Sequence, residues 1–452
     1  MGRRLALAIA GVVAATSVWA AGANAVVPLT QLSTDPFTNT SSQHRTEVEP
    51  DTFAFGSTIV ATSQAGRFFS GGSSDNGWMT STNGGASWSH GFLPGITKYQ
   101  GAGRFDRASD PSVAYDARHG VWLISSLALL ESPNVHGAAV VVSRSADGIV
   151  WGNPIVVATG AFVDKNWIVC DNHPTSAFYG RCYSEWDDAN RGDLILMSTS
   201  VDGGLTWGAA RTTNDSATGL GGQPVVQPNG TVIVPYGDPS LSSIRSFRSV
   251  DGGASWRISV LVSSIREHNV AGGLRTPPLP SAEIDAAGKV YVAWQDCRFR
   301  FNCTSNDIVI STTTQSTYPT WSSPARVPID AVSSTVDHFI PGIAVDPGTF
   351  GSTAHVALAY YYYPSAACTS ATCQLNVGFV SSANGGATWS LPTQLAGPMA
   401  IGWLASTSSG RMVGDYISTS FSGGKAHPVF AVAKTPSLGL FDEAMYTPTS
   451  GL

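Results

Sequence analysis

The sequence predicts an all-β protein in which antiparallel four-stranded sheets form the blades of a propeller. Three observations carry that prediction. One glycine-rich turn recurs along the chain, a strand-opening segment recurs between its copies, and the composition is poor in charge but rich in glycine and tryptophan. A unit repeated at such intervals, one small sheet each, is how a propeller reads in sequence.

The turn is clearest at Ser200-Val201-Asp202-Gly203-Gly204-Leu205-Thr206-Trp207. The Asp202 carboxylate can accept hydrogen bonds from backbone N–H groups just downstream. Gly203 and Gly204 permit positive φ. Thr206 and Trp207 re-enter a strand, where the indole can cover the turn. Ser249–Trp256 repeats it, and Ser81–Trp88 and Ser382–Trp389 place Asn83 and Asn384 in the acidic position. Ser145–Trp151 is one residue short, and Thr314–Trp321 is decayed, with Ser316 for the acid. The six tryptophans, at 88, 151, 207, 256, 321 and 389, are 49 to 68 residues apart.

In chain order, Met1-Gly2-Arg3-Arg4, the apolar run from Leu5 to about Ala21 and the small residues Ala23-Asn24-Ala25 read as a secretory signal peptide cleaved after Ala25. No later segment has the roughly 18 unbroken apolar residues of a spanning helix. Residues 26–43 are polar and read as an extended, loosely held lead-in. Residues 44–452 read as one propeller domain. Within it the second repeat runs through His44–Pro50, Arg107–Pro111, Asp164–Val169, Gly221–Val226, Arg275–Pro278, Asp337–Pro341 and Gly414–Ile417. Each copy leads into apolar strands, as at Gly120–Ser125 and Val290–Trp294. Seven copies against six turns predict seven blades, with six plus an extra hairpin as the alternative.

Charge and cysteine bound the function. Only 12% of residues are charged, against about 25% in a typical protein. Losing Arg3 and Arg4 but no acid with the leader takes the net charge from −6 to −8. A mildly acidic surface without a basic run argues against nucleic acid and anionic membranes as partners. A secreted monomer is expected. Six cysteines fall as the close pairs Cys170/Cys182, Cys297/Cys303 and Cys368/Cys373, which favours local disulfides. No cofactor is expected, although Asp187 with Asp188, or Asp296 with Asp307, leaves structural Ca²⁺ open.

The turns resemble the Asp-box, S/T-x-D-x-G-x-T/S-W, of sialidase-like propellers, and the resemblance covers most of the mature chain. It implies that the turns lie opposite the active face and that their residues are structural. It also implies that the residues opening each inner strand converge on a central pocket: His44, Arg45, Glu47, Arg107, Asp110, Asp164, Lys165, Arg275, Asp337, His338, Asp415 and Tyr416. Rim candidates include Gln64, Arg67, Glu131, His136, Glu185 and Trp186.

Arginine suits a carboxylate because its planar fork meets both oxygens. Arg107, Arg275 and Arg67 are the candidate clamp. Sialidases use three such arginines, a Tyr–Glu nucleophile and an acidic Asp, which points to Tyr416, with Glu185 or Glu47 as its partner, and to Asp110 or Asp164. His44, Lys165 and His338 complete the expected binding set, with Trp186 as a stacking platform. One departure concerns the first inner strand. Glu47-Val48-Glu49-Pro50 stands where sialidases place an Arg-Ile-Pro-type sequence. The expectation is an exo-glycosidase acting on an acidic sugar. The alternatives are a uronate-directed lyase of the rhamnose–glucuronate type and a non-catalytic glycan-binding propeller.

Overall fold

The repeated turns form as their chemistry requires. In the computed structural model, which describes residues 27–318 and 320–452, Asp202 Oδ1 accepts from Thr206 N–H at 2.9 Å and from Ser200 Oγ at 2.9 Å. Asp251 makes the same pair of bonds to Ser255 N–H and Ser249 Oγ, at 2.9 and 2.8 Å. Asn83 and Asn384 substitute for the acid without changing the pattern. The indoles of Trp88, Trp151 and Trp389 donate to Gly85, Gly148 and Gly386 carbonyls at 3.0–3.1 Å, closing the turn from one side. The expected signal peptide lies outside the described residues.

The turns follow the third strand of a meander and, where a fourth strand exists, lead into it. Ser200–Trp207 follows the strand Leu194–Ser200, and Ser249–Trp256 joins Ser243–Ser249 to Val260–Ser264. Counted as separate hydrogen-bonded sheets among the described residues, five blades of three or four strands stand around the axis, beside one continuous eight-stranded sheet and the two-stranded pair Ala405–Thr407 and Gly410–Met412. The expected seven, or six, independent four-stranded blades are therefore corrected. Two causes are visible. Residues 47–159 form two meanders fused by the Ser73–Ala108 strand pair, with Ser73 Oγ donating to the Ala108 carbonyl at 2.9 Å. Among the described residues the sheet of Val163–Cys170, Cys182–Asp188 and Leu194–Ser200 has no fourth strand, because residues 211–218 touch it only through isolated bridges.

The lead-in is also corrected. Leu29–Gln31 pairs antiparallel with Glu443–Pro448, so the first strand completes the sheet begun by the last three. Leu32 is buried, and Asp35 caps Phe37 N–H at 2.9 Å and Thr46 N–H at 3.2 Å. The cysteines pair locally, as Cys170–Cys182, Cys297–Cys303 and Cys368–Cys373. Hydrophobic clusters fill the gaps between sheets. One joins Val121, Leu123 and Val140 to Ile168, Trp186 and Leu196. Trp186 is only 1% exposed there, so it is a core wedge and not a sugar platform.

The inner strands share one irregularity that decides the site. Pairing with the second strand slips between Val48 and Asp51, Ser109 and Ser112, Asp164 and Trp167, and Phe339 and Gly342. At each slip a non-glycine residue takes positive φ: Glu49 (57°), Asp110 (41°), Lys165 (50°) and Ile340 (49°). Such a conformation costs roughly 1–3 kcal/mol per residue and re-aims the side chain out of the pleat. Proline follows at 50, 111 and 341, where the bulge leaves no ladder N–H to satisfy.

Candidate active site at the channel mouth

Three of the four bulged residues, Glu49, Asp110 and Lys165, carry charge, and all three line one cavity of about 210 Å³. Arg67, Asp164 and Arg275 line it too, with Ser70–Gly72 and the aromatic pair His136–Phe162, whose rings lie 5.2 Å apart. Phe162 holds positive φ (73°), and its backbone is pinned by bonds to Gly137 O and from Ala189 N–H. Asp415 lies beneath, fully shielded. Lys165 Nζ is 2.5 Å from Asp415 Oδ2 and 3.7 Å from both Glu49 Oε1 and Asp110 Oδ1. Arg275 forks onto the same Asp415, with Nε 2.6 Å from Oδ1 and Nη2 on Oδ2.

The electrostatics follow from this packing. Burial opposes the charge on Asp415, but Lys165 and Arg275 outweigh it and hold its carboxyl well below the usual range. Burial likewise works against the Lys165 ammonium, and Asp110, Asp415 and Glu49 override it and push its pKa up. Glu49 goes the other way. Burial, reinforced by Asp110, raises it to about 8, and its carboxyl accepts from Gln64 Nε2. Asp164 is open to solvent through the cavity. The packed surroundings and then the neighbouring Asp110 charge raise it to about 6. Two carboxyls side by side, one of them inclined to keep a proton, is the arrangement acid–base chemistry uses.

Several expected residues lie elsewhere. Arg107 is committed to the wall. It pairs with Glu131 at 2.9 Å, donates to Gly71 O at 2.7 Å and stacks 4.0 Å over Phe68. Tyr416 packs edge-on against Trp167, 5.1 Å between centroids, and its hydroxyl donates to the Pro111 carbonyl at 3.3 Å. Burial and the surrounding acids raise its pKa well above the phenolic value. Glu185 is buried with neither oxygen hydrogen-bonded, its carboxyl against Gly222, and burial pushes it far up. Glu47 turns away to Ser33 and Met445 N–H. His44 does not line the cavity, and His338 is buried against Tyr360 and Tyr362.

The acids considered for Ca²⁺ are already paired or set apart among the described residues. Asp296 is forked by Arg298, and Asp307 is held by Arg300 at 2.6 Å and Arg326 at 2.8 Å. Asp187 and Asp188 are consecutive on a strand and point to opposite faces. Asp307, Asp330 and His338 approach within 4.8 Å of one another, but Arg300 and Arg326 already supply their countercharge.

Glu49 is the cavity acid that the candidate set left out. An acid followed by proline, recurring at 49–50 and 110–111, is the signal that could have found it.

No protein-family model matches the chain, and no curated protein does. Solved structures do. A structure described as an ulvan lyase of a new polysaccharide lyase family aligns at 11% identity and a TM-score of 0.54, over 94% of this chain and 96% of its own. A Dyadobacter fermentans protein of unknown function aligns at 13% identity and 0.49, over 79% and 99%. The NanB sialidase from Streptococcus pneumoniae aligns at 14% and 0.46, over 92% and 70%. At 11% identity the likeness to the lyase structure speaks for the fold alone, an all-β propeller. No described helix is long and apolar enough to cross a membrane.

Proposed function

We propose that this propeller is a carbohydrate-active enzyme that cleaves a glycosidic bond at an acidic sugar held in the channel-mouth cavity. The observation that carries the reading is the convergence of Arg67, Lys165 and Arg275 with Asp110 and Asp164 around one pocket. At about 210 Å³ the pocket falls below the roughly 300–1,000 Å³ of drug-sized sites and suits a single sugar ring. The cationic side receives the sugar's carboxylate. Asp164, kept partly protonated beside Asp110, donates a proton to the departing glycosidic oxygen, and water completes hydrolysis. Because Tyr416 is spent on Pro111, this route differs from the tyrosine-nucleophile chemistry of sialidases. Export through a cleaved leader belongs to the same reading, and sequencing the mature N-terminus tests it.

Elimination is the second reading. It is favoured by the aligned lyase and by His136, an imidazole on the cavity wall that could take the proton beside a neutralised carboxylate. Oligosaccharides ending in sialate or carrying uronate are the test substrates. Free reducing sugar without new ultraviolet absorbance supports hydrolysis, and absorbance from a new double bond supports elimination. Turnover of neutral glycans only, or an Asp164→Asn enzyme as fast as the parent, sinks the proposal.

A further inference from the structure

A second chamber, of about 530 Å³, occupies the opposite end of the channel. The inner strands run from one to the other. Their first residues, Glu49, Asp110 and Lys165, meet the acidic-sugar cavity, and their last ones, such as Phe55, Cys170, Ile284 and Val345, meet this chamber. Trp167 and Tyr416 lie between, packed on each other. The chamber's wall is mostly apolar, with Phe53, Val113, Ile168, Val226, Ile343 and Phe421 facing it. Its size falls within the roughly 300–1,000 Å³ typical of small-molecule sites.

Its charge is one-sided. Asp51, Glu283, Asp285 and Asp346 line it, and among the described residues no lysine or arginine does. Three of these acids are occupied. Asp51 accepts from Val113 N–H at 2.8 Å, Asp285 from Lys289 N–H at 2.9 Å and Asp346 from Gly348 N–H at 3.0 Å. His173, the remaining titratable group on the wall, is bonded to the Val226 carbonyl at 3.0 Å. Glu283 is different. It sits on the short inner strand Ser281–Ile284, half-buried, and among the described residues no cation pairs with it. Among the described residues no side chain bonds to its carboxyl, whose nearest acidic neighbour is Asp51. An apolar chamber with one uncommitted carboxyl complements a positive head on an apolar body.

We propose that this chamber binds a small organic cation, a protonated amine carrying one ring or a short alkyl chain, with its ammonium on Glu283. The proposal does not depend on the sugar reading, because the two cavities share no lining residue. Burial and Asp51 push Glu283 to about 8, so binding strengthens between pH 6 and pH 9 while the amine stays charged. Over the same range Asp51 also ionises and adds to the pull, since burial raises it to about 7.

Titration calorimetry on the whole protein with butylammonium, hexylammonium and 1-hexanol is the test. Hexylammonium should bind one to one. It should bind about fifteenfold tighter than butylammonium, at about fourfold per methylene. Glu283→Gln should weaken it at least tenfold and leave 1-hexanol unchanged. Ala286→Trp, at the exposed mouth, should weaken both ligands with no effect on the core. The proposal is overturned if 1-hexanol binds the parent as tightly as hexylammonium, if Glu283→Gln leaves the amine unaffected, or if no saturable heat is seen.

Discussion

At the scale of single residues, the site is a set of charges that cannot be separated. Lys165 is only 8% exposed and gathers acidic groups from two inner strands, Glu49 and Asp110, and from the segment before Ser418, Asp415. Lys165→Met should therefore cost about 3–5 kcal/mol in urea denaturation, because it strands buried negative charge. In the proposed hydrolysis Asp164 is the proton donor. Asp164→Asn should lower kcat by about 100-fold or more with little change in melting temperature. With its carboxyl near 6, the acidic form is lost as pH rises, so kcat should fall above about pH 6 in the parent, and that limb should vanish in the variant. The contrast between Glu47 and Glu49 shows what the sequence could not say. Strict alternation puts both on one face. The bulge at Glu49-Pro50 breaks the alternation, so Glu49 enters the cavity while Glu47 turns to Ser33. Asp110, Asp164, Lys165, Arg67 and Arg275 were legible because few other charges compete for notice. Arg107 and Tyr416 misled because their internal partners, Glu131 and Pro111, are remote in sequence or carry no side-chain signal.

At the scale of elements, the repeated turn is the most readable part of the chain, since its bonds span four residues or fewer. Gly253 shows how little freedom it leaves. Its φ is +82°, and a Cβ there would meet Thr199 Oγ1 at 2.3 Å, so Gly253→Ala should destabilise by about 1–3 kcal/mol. Asp251→Asn should be nearly neutral, as Asn83 and Asn384 already do that work, whereas Asp251→Ala should lose about 1 kcal/mol in thermal unfolding. Equal effects of the two substitutions would show that the turn is held by its glycines alone. The blade tally was less legible. Whether neighbouring meanders fuse depends on one pair, Ser73 with Ala108, and nothing local to either residue announces it.

At the scale of the whole molecule, buried acids tie stability to pH. Glu47, Asp51 and Glu283 are raised to about 8, 7 and 8, chiefly by burial. The unfolded chain releases these protons near pH 4, so the folded state binds more of them between about pH 4.5 and 8. Their contribution is complete below about pH 4.5 and is lost as pH rises through 7 to 8, by up to about 1.4 kcal/mol per pH unit for each group. Asp415 runs oppositely and weakens the fold only in strong acid. The melting temperature should therefore be higher at pH 5 than at pH 8, and a scanning calorimeter that found the reverse would mean these carboxyls are hydrated. The pairing of Leu29–Gln31 with Glu443–Pro448 has a further consequence. Leu29–Gln31 must wait, an unmatched edge, for Glu443–Pro448 to arrive. Until then the annulus is a split washer, with both lips open to pairing with a neighbouring chain. A protein threaded N-terminus first across a membrane would pass its whole transit in that state, and only the arrival of Tyr446 opposite Gln31 seals it.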